Sequence, residues 1–142
     1  MCIRLDKDSY YLNIAQAVSK RSTCIKRQYG AVIVNYDEII STGYNGSARG
    51  EPNCSDINYC PRLKEEHNSG NYGECSSVHA EQNALLSAAR RNMIGGDLYL
   101  YGEEEEKPIR DDIEPCPICE RMIRNAGIKR VITIKGVTKY ED

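Results

Sequence analysis

The sequence predicts an α/β fold in which helices cover a mixed sheet. Three observations carry this. Two apolar strand-like runs lie close enough to form a hairpin, Gly30-Ala31-Val32-Ile33-Val34 and Glu38-Ile39-Ile40-Ser41-Thr42-Gly43. Later in the chain strands alternate with helices, the order that produces parallel pairing. The 142 residues are 40% hydrophobic and 28% charged, which suits one ordinary domain with a buried core.

The elements follow in order. Leu12, Ile14, Ala15, Ala17 and Val18 recur at helical spacing, which predicts a helix from Ser9 to Lys20 with Ser9 as its N-cap. The β-branched run from Gly30 to Val34 suits a buried strand, and Asn35-Tyr36-Asp37 turns it into the second. From Asn45 to Ser76 no period is sustained, and Gly, Pro, Asn, Ser and Cys dominate. A loop of that length in a compact domain is functional or held by something other than a core. His79 to Asn92, with Ala80, Ala84, Leu85, Ala88 and Ala89, reads as an Ala-rich helix. Asp97 to Tyr101 is a strand, and the acidic run from Glu103 to Lys107 is expected on a solvated surface. Pro117 to Asn125 predicts a helix ended by Gly127, and Arg130 to Ile134 a last strand.

Composition narrows the function. With 19 Lys+Arg against 21 Asp+Glu, the net charge of −2 argues against a nucleic-acid partner. No apolar run approaches the ~20 residues of a membrane span. Near the N-terminus, Asp6, Lys7, Asp8 and Ser9 replace the hydrophobic stretch of a secretory signal, so a cytoplasmic location is expected. Seven cysteines in that reducing setting point to metal or catalysis rather than disulfides. The chain also has ten Tyr with no Phe or Trp, and tyrosine is expected to supply the aromatic packing.

Two motifs carry the chemistry. His79-Ala80-Glu81 stands where the polar loop meets the Ala-rich helix, and Pro115-Cys116-Pro117-Ile118-Cys119 opens a later one. Cys116 and Cys119 are three apart, so one helical turn brings their sulfurs together, and the helix N-terminus favours thiolates. One imidazole and two thiolates hold a zinc ion and leave a fourth tetrahedral position open, as in catalytic sites. Such an ion lowers the pKa of water towards ~7. Glu81, two residues from His79, is placed to move the proton of that water as a general acid/base.

This H-x-E and P-C-x-x-C pattern is the signature of zinc deaminases. The chain resembles the cytidine deaminase-like superfamily, and within it the deoxycytidylate (dCMP) deaminase family. The likeness rests on Ser22-Thr23-Cys24-Ile25-Lys26-Arg27-Gln28-Tyr29-Gly30, Thr42-Gly43-Tyr44-Asn45-Gly46, His79 to Ala84 and Asn125 to Val131, and spans roughly residues 9 to 135. It implies a three-layer α/β/α sandwich around a mixed five-stranded sheet, with residues 1–142 as a single zinc-dependent deaminase domain. It implies hydrolytic deamination of dCMP to dUMP in pyrimidine deoxynucleotide metabolism, Glu81 protonating N3 and then the departing amine. By the same likeness Asn45 binds sugar or phosphate, with Tyr44 beside it. The Ala80 backbone contacts the base, and Lys26 or Arg27 holds phosphate.

The family includes members with a second, structural zinc. Cys24, Cys54, Cys60 and Cys75 are the candidate ligands here, with His67 as an alternate and Cys2 left over. The resemblance also implies dCTP and dTTP effectors, Mg2+ accompanying such a nucleotide, and a homo-oligomer. The chain departs from the family pattern between Tyr101 and Pro115, where a highly charged stretch of thirteen residues, Gly102 to Glu114, stands in place of a few. This insert is expected to reshape the pocket mouth. Two other readings stay open: a deaminase of this fold acting on another nucleoside, a base or a tRNA adenosine, and a non-catalytic zinc-stabilised binding module.

Overall fold

The computed structural model describes residues 3–60 and 75–141. His67 and Cys2 therefore lie outside the described residues. Helix α1 (Lys7–Ser19) leads into strands β1 (Gln28–Asn35) and β2 (Glu38–Tyr44). Short β3 (Gly46–Ser47) and α2 (Cys54–Ile57) follow, then β4 (Ser77–Val78), α3 (Ala80–Leu86) and α4 (Arg90–Met93). The chain continues through β5 (Asp97–Glu104), β6 (Lys107–Pro108), α5 (Pro117–Asn125), β7 (Arg130–Thr133) and β8 (Gly136–Lys139).

The main sheet runs β2-β1-β5-β7-β8, with β6 paired to the end of β5. Only β5 and β7 are parallel; the other pairs are antiparallel, so the sheet is mixed as expected. Its path has the expected five strands, and β6 adds a two-residue sixth. The β1–β2 hairpin turns on Tyr36 and Asp37, both at positive φ (52° and 58°). Two such residues give the mirror-image turn whose twist matches that of the flanking strands.

Strand alternation divides the core between two layers of helix. Ala31, Ile33, Leu98, Leu100 and Val131 face Ala80, Ala84, Met93 and Ile123 from α3, α4 and α5. On the opposite face Val32, Val34, Tyr99, Tyr101 and Ile132 pack against Tyr11 and Ala15 of α1. The three buried tyrosines there each donate to a carboxylate: Tyr11 to Asp37 (2.7 Å), Tyr99 to Asp8 (2.7 Å) and Tyr101 to Glu103 (3.2 Å). Among the described residues no helix is long and apolar enough to cross a membrane.

Four expectations need correction. The N-cap of α1 is Asp6, whose Oδ1 accepts the Ser9 N–H at 2.8 Å, and Ser9 lies inside the helix. A carboxylate there meets both a free amide and the positive end of the helix dipole. The Ala-rich helix breaks after Leu86 and resumes as α4, because the break turns Met93 into the core and lets Asn35 Nδ2 bind the Asn92 and Ile94 carbonyls. Tertiary contacts outweigh alanine's propensity. The acidic run is solvated only in part: β5 continues through Glu104 and Glu103 is buried, whereas Glu105 and Glu106, at positive φ, form an exposed turn into β6. Ile109 and Ile113 of the insert are core residues. Finally, β7 stops at Thr133 and Gly136 starts β8, an exposed edge strand without apolar alternation.

Candidate active site

The site forms where two helix starts meet at one end of the sheet. His79 is the N-cap of α3, and its N–H is accepted by Gln82 Oε1 at 2.9 Å, one half of a capping box. α3 lies directly on β2: a Cβ added to Gly43 would collide with the Ala80 carbonyl oxygen and the Ala84 nitrogen. Asn83 Nδ2 donates to the Tyr44 carbonyl (2.8 Å), fixing the rotation of the helix. On the other side Cys116 caps α5, Pro117 takes the first helical position where its missing N–H costs nothing, and Cys119 is fully buried one turn on.

These starts bring three ligand atoms together. His79, Cys116 and Cys119 place theirs mutually within 4.8 Å, the one such group among the described residues. His79 Nδ1 is 3.6 Å from Cys116 Sγ and 3.3 Å from Cys119 Sγ. Tetrahedral zinc, with N and S ligands at about 2.0 and 2.3 Å, separates N from S by about 3.5 Å, so the donor set fits that ion. The Cys116 thiol is pushed down to about 3, chiefly by its hydrogen bond with Cys119 and further by His79, against the effect of burial. Cys119 is shifted up by the same bond and by burial. The shared hydrogen bond thus favours ionisation of one sulfur of the pair, and the thiolate is the form a metal requires.

Glu81 lies in the first turn of α3 and is buried. Burial pushes its carboxyl up from the usual range and the neighbouring Cys116 adds to this, while its own backbone, His79 and a hydrogen bond with Cys119 pull the other way. A buried carboxyl beside metal-binding donors can both take and give a proton.

Residues 5–135 match the family described as the cytidine and deoxycytidylate deaminase zinc-binding region. The chain belongs to that deaminase family. It is 38% identical over 136 residues to the deoxycytidylate deaminase of Mycobacterium phage D29, covering 91% of this chain and 94% of that one. It is 39% identical over 126 residues to the deoxycytidylate deaminase of Schizosaccharomyces pombe, covering 88% of this chain but spanning only 36% of that relative. Among solved structures, dCMP deaminase from the cyanophage S-TIM5 in complex with dCMP and dUMP is 27% identical with a TM-score of 0.64, over 93% of this chain and 83% of that one.

The remaining candidates of this deaminase-family chain fall into two groups. Asn45 is buried and its amide is engaged: Oδ1 accepts from the Tyr29 N–H (2.8 Å) and the Ser22 hydroxyl (2.6 Å), and Nδ2 donates to the Arg27 carbonyl (2.9 Å). Tyr44 and Lys26 are half-buried, and Ala80 is fully buried as the first residue of α3. The Arg27 guanidinium binds Glu104 and Asp112. The second group is the four cysteines. Ser55 N–H donates to the Thr23 carbonyl (3.0 Å), which brings α2 beside Cys24. The thiol of Cys54 is pushed up by burial and then by Cys24, Cys60 and Cys75; that of Cys24 is raised by burial and further by Cys60 and Cys75. Sequence reasoning missed Ser22, Tyr29, Asn83 and Asp112, ordinary residue types whose roles come only from what they touch.

Proposed function

We propose that this chain catalyses the hydrolytic deamination of dCMP to dUMP with release of ammonia. The observation that carries the reading is a buried Glu81 carboxyl facing the convergent donors of His79, Cys116 and Cys119. Zinc bound there supplies a Lewis acid with an open position, which brings the pKa of water to ~7. Glu81 takes a proton from water as the C4–O bond forms and delivers it to N3 of the cytosine. It then takes the remaining proton from the C4 hydroxyl and passes it to the exocyclic nitrogen, so that C4=O forms as the C4–N bond breaks and ammonia leaves. Burial keeps the carboxyl dry and raises its affinity for the proton between these transfers. The Ala80 backbone and Tyr44 line the base and sugar, Lys26 meets the phosphate, and Asn45 holds the backbone of Arg27 and Tyr29 in place.

Similarity to the phage D29 deoxycytidylate deaminase along nearly the whole of both chains supports a nucleotide substrate. A second, structural zinc at Cys24, Cys54, Cys60 and Cys75 belongs to this reading: Cys54 feels the charges of the other three, and a bound ion would have to draw together sulfurs that stand outside ligand distance of one another here. Regulation by dCTP and dTTP with Mg2+, assembly into a homo-oligomer and a cytoplasmic location belong to the same reading.

Purified protein incubated with dCMP, dCTP, deoxycytidine, CMP and adenosine, with products separated by chromatography, tests it. Conversion of dCMP that disappears in Glu81→Gln, with zinc retained, supports substrate and mechanism. Conversion of adenosine or deoxycytidine in place of dCMP would move the activity to another substrate. Fully zinc-loaded protein that converts none of the five would overturn the proposal.

A further inference from the structure

Arg27 is engaged within the protein. Its Nε donates to Glu104 Oε1 (3.0 Å), and Nη1 donates to Asp112 Oδ2 (2.9 Å) and the Tyr29 hydroxyl (3.3 Å). Glu104 ends β5, and Asp112 stands four residues before Cys116. One planar fork thus grips both ends of the 104–112 excursion, a geometry a lysine cannot reproduce. The arginine side chain is only 15% exposed, whereas its carboxylate partners are 42% and 45% exposed. The excursion is no free loop, because Ile109 is buried and its N–H donates to the Gly102 carbonyl at 2.9 Å.

Tyr29 links this clamp to the site. It pairs with Gly102 in the β1–β5 register, and its ring lies over Gly102 together with the tip of Ile113. Any Cβ at position 102 would meet that ring at 2.6 Å. Burial, first, and then the charges of Glu81 and Asp112 raise the Tyr29 hydroxyl to about 12 against the pull of Arg27. The Tyr29 main chain is also bonded in both directions to Asn45 (2.8 and 3.4 Å), next to Tyr44, whose carbonyl holds Asn83 of α3, so Tyr29 lies on the path that joins the clamp to the site. His79 and Glu81 are anchored separately, through Gly43 and the Asn83–Tyr44 bond, so loosening the clamp leaves the reacting groups in place.

We propose that Arg27 is a positioning residue: it clamps the 104–112 excursion against Tyr29 as one wall of the substrate mouth, and so sets the affinity for a cytosine nucleotide without touching the reacting atoms. The proposal rests on the deaminase reading above. Charge alone makes the opposite prediction for one variant. Neutralising Asp112 removes a negative charge near an anionic substrate and should tighten binding, whereas a clamp that loses a partner should weaken it.

The test measures kcat and KM for dCMP, zinc content and amide hydrogen exchange on the zinc-loaded enzyme and its variants. Asp112→Asn and Arg27→Lys are each expected to raise KM about tenfold with kcat held within about threefold. Zinc content should stay unchanged, and exchange at Ile109 should accelerate. Combining Arg27→Gln with Asp112→Asn should cost no more than Arg27→Gln alone. A KM that falls or stays level in Asp112→Asn overturns the clamp, as does a collapse of kcat with loss of zinc. If Arg27→Gln fails to fold, the half-exposed Asp112 variant decides alone. A wild-type enzyme that converts no cytosine nucleotide sinks the deaminase reading instead, and unchanged exchange at Ile109 in Asp112→Asn then still refutes the clamp.

Discussion

Gly43 and Ala80 stand so close that no methyl group fits between the β2 backbone and the carbonyl oxygen opening α3. The glycine is there for space, since its φ is ordinary, and it lets the helix carrying His79 and Glu81 rest directly on the sheet. Gly43→Ala should push α3 outward. A displacement near 1 Å predicts a loss of about a hundredfold in kcat/KM for dCMP together with weaker zinc retention. Thr42→Ala, at the exposed neighbouring position, should leave both close to wild type. Steady-state kinetics with metal analysis checks the pair.

Replacing Glu81 by Gln keeps the volume of a buried side chain while removing its capacity to accept and return a proton. Turnover of dCMP should fall about 10²–10⁴-fold, the range for a lost general acid/base, with zinc stoichiometry unchanged. Retained turnover would show that another group moves the proton.

Metal removal should act on stability as well as on rate. The site draws donors from two separate helices, so a bound ion ties α3 to α5 and stabilises only the folded chain. Dialysis against a chelator should lower the melting temperature, and added zinc should restore it. The restoration should be smaller in Cys116→Ser/Cys119→Ser than in the wild type.

Asn45 offers a test of position against contact. Truncation to Ala leaves the Tyr29 N–H and the Arg27 carbonyl without their side-chain partner in a buried setting. Each orphaned group costs about 1–3 kcal/mol, so Asn45→Ala should destabilise the protein by about 2 kcal/mol or more in urea unfolding. Unchanged stability with a raised KM would make the side chain a substrate contact and not a brace.

How much of this was legible beforehand differs by element. The hairpin, α5 and the two chemical motifs announced themselves, because each is specified locally by β-branched apolar runs around a turn, a proline at a helix start or ligand spacing. The break between α3 and α4 did not, since Ser87, Ala88 and Ala89 are unremarkable in sequence and the helix ends because Met93 and Asn35 claim the chain from outside. Four consecutive glutamates read as a surface, yet Glu103 is drawn inward by Lys20, whose Nζ donates to it at 2.7 Å. The edge strand β8 has neither period nor burial to reveal it. In the site, the donors and Glu81 were readable as a motif, while the Asn45 and Arg27 networks exist only once distant segments meet.

Alkaline pH probes the opposite face of the sheet. The Tyr11 hydroxyl is pushed up to about 12, first by its hydrogen bond to Asp37 and then by burial. Its folded value lies above the unfolded value near 10, so its contribution to stability is complete below pH 10 and is lost as pH rises from 10 through 12. Denaturant midpoints should fall across that window, and Tyr11→Phe should show a shallower fall from a lower plateau.

The tyrosines of that face also account for the odd aromatic composition. All three buried tyrosines among the described residues, Tyr11 of α1 and Tyr99 and Tyr101 of the strand beneath it, lie in this layer, and none lies on the face that carries the site. Each ring behaves like a small amphiphile, its body in oil and its head among Asp37, Asp8 and Glu103 at the rim. A phenylalanine would fill the same volume but leave an acidic side chain facing a bare ring edge. The absence of phenylalanine thus fits a layer whose inner surface excludes water while its margin is held by hydroxyl–carboxylate pairs. The site-bearing layer uses small aliphatic residues such as Ala31, Ala80 and Ala84, which let backbone meet backbone around the chemistry.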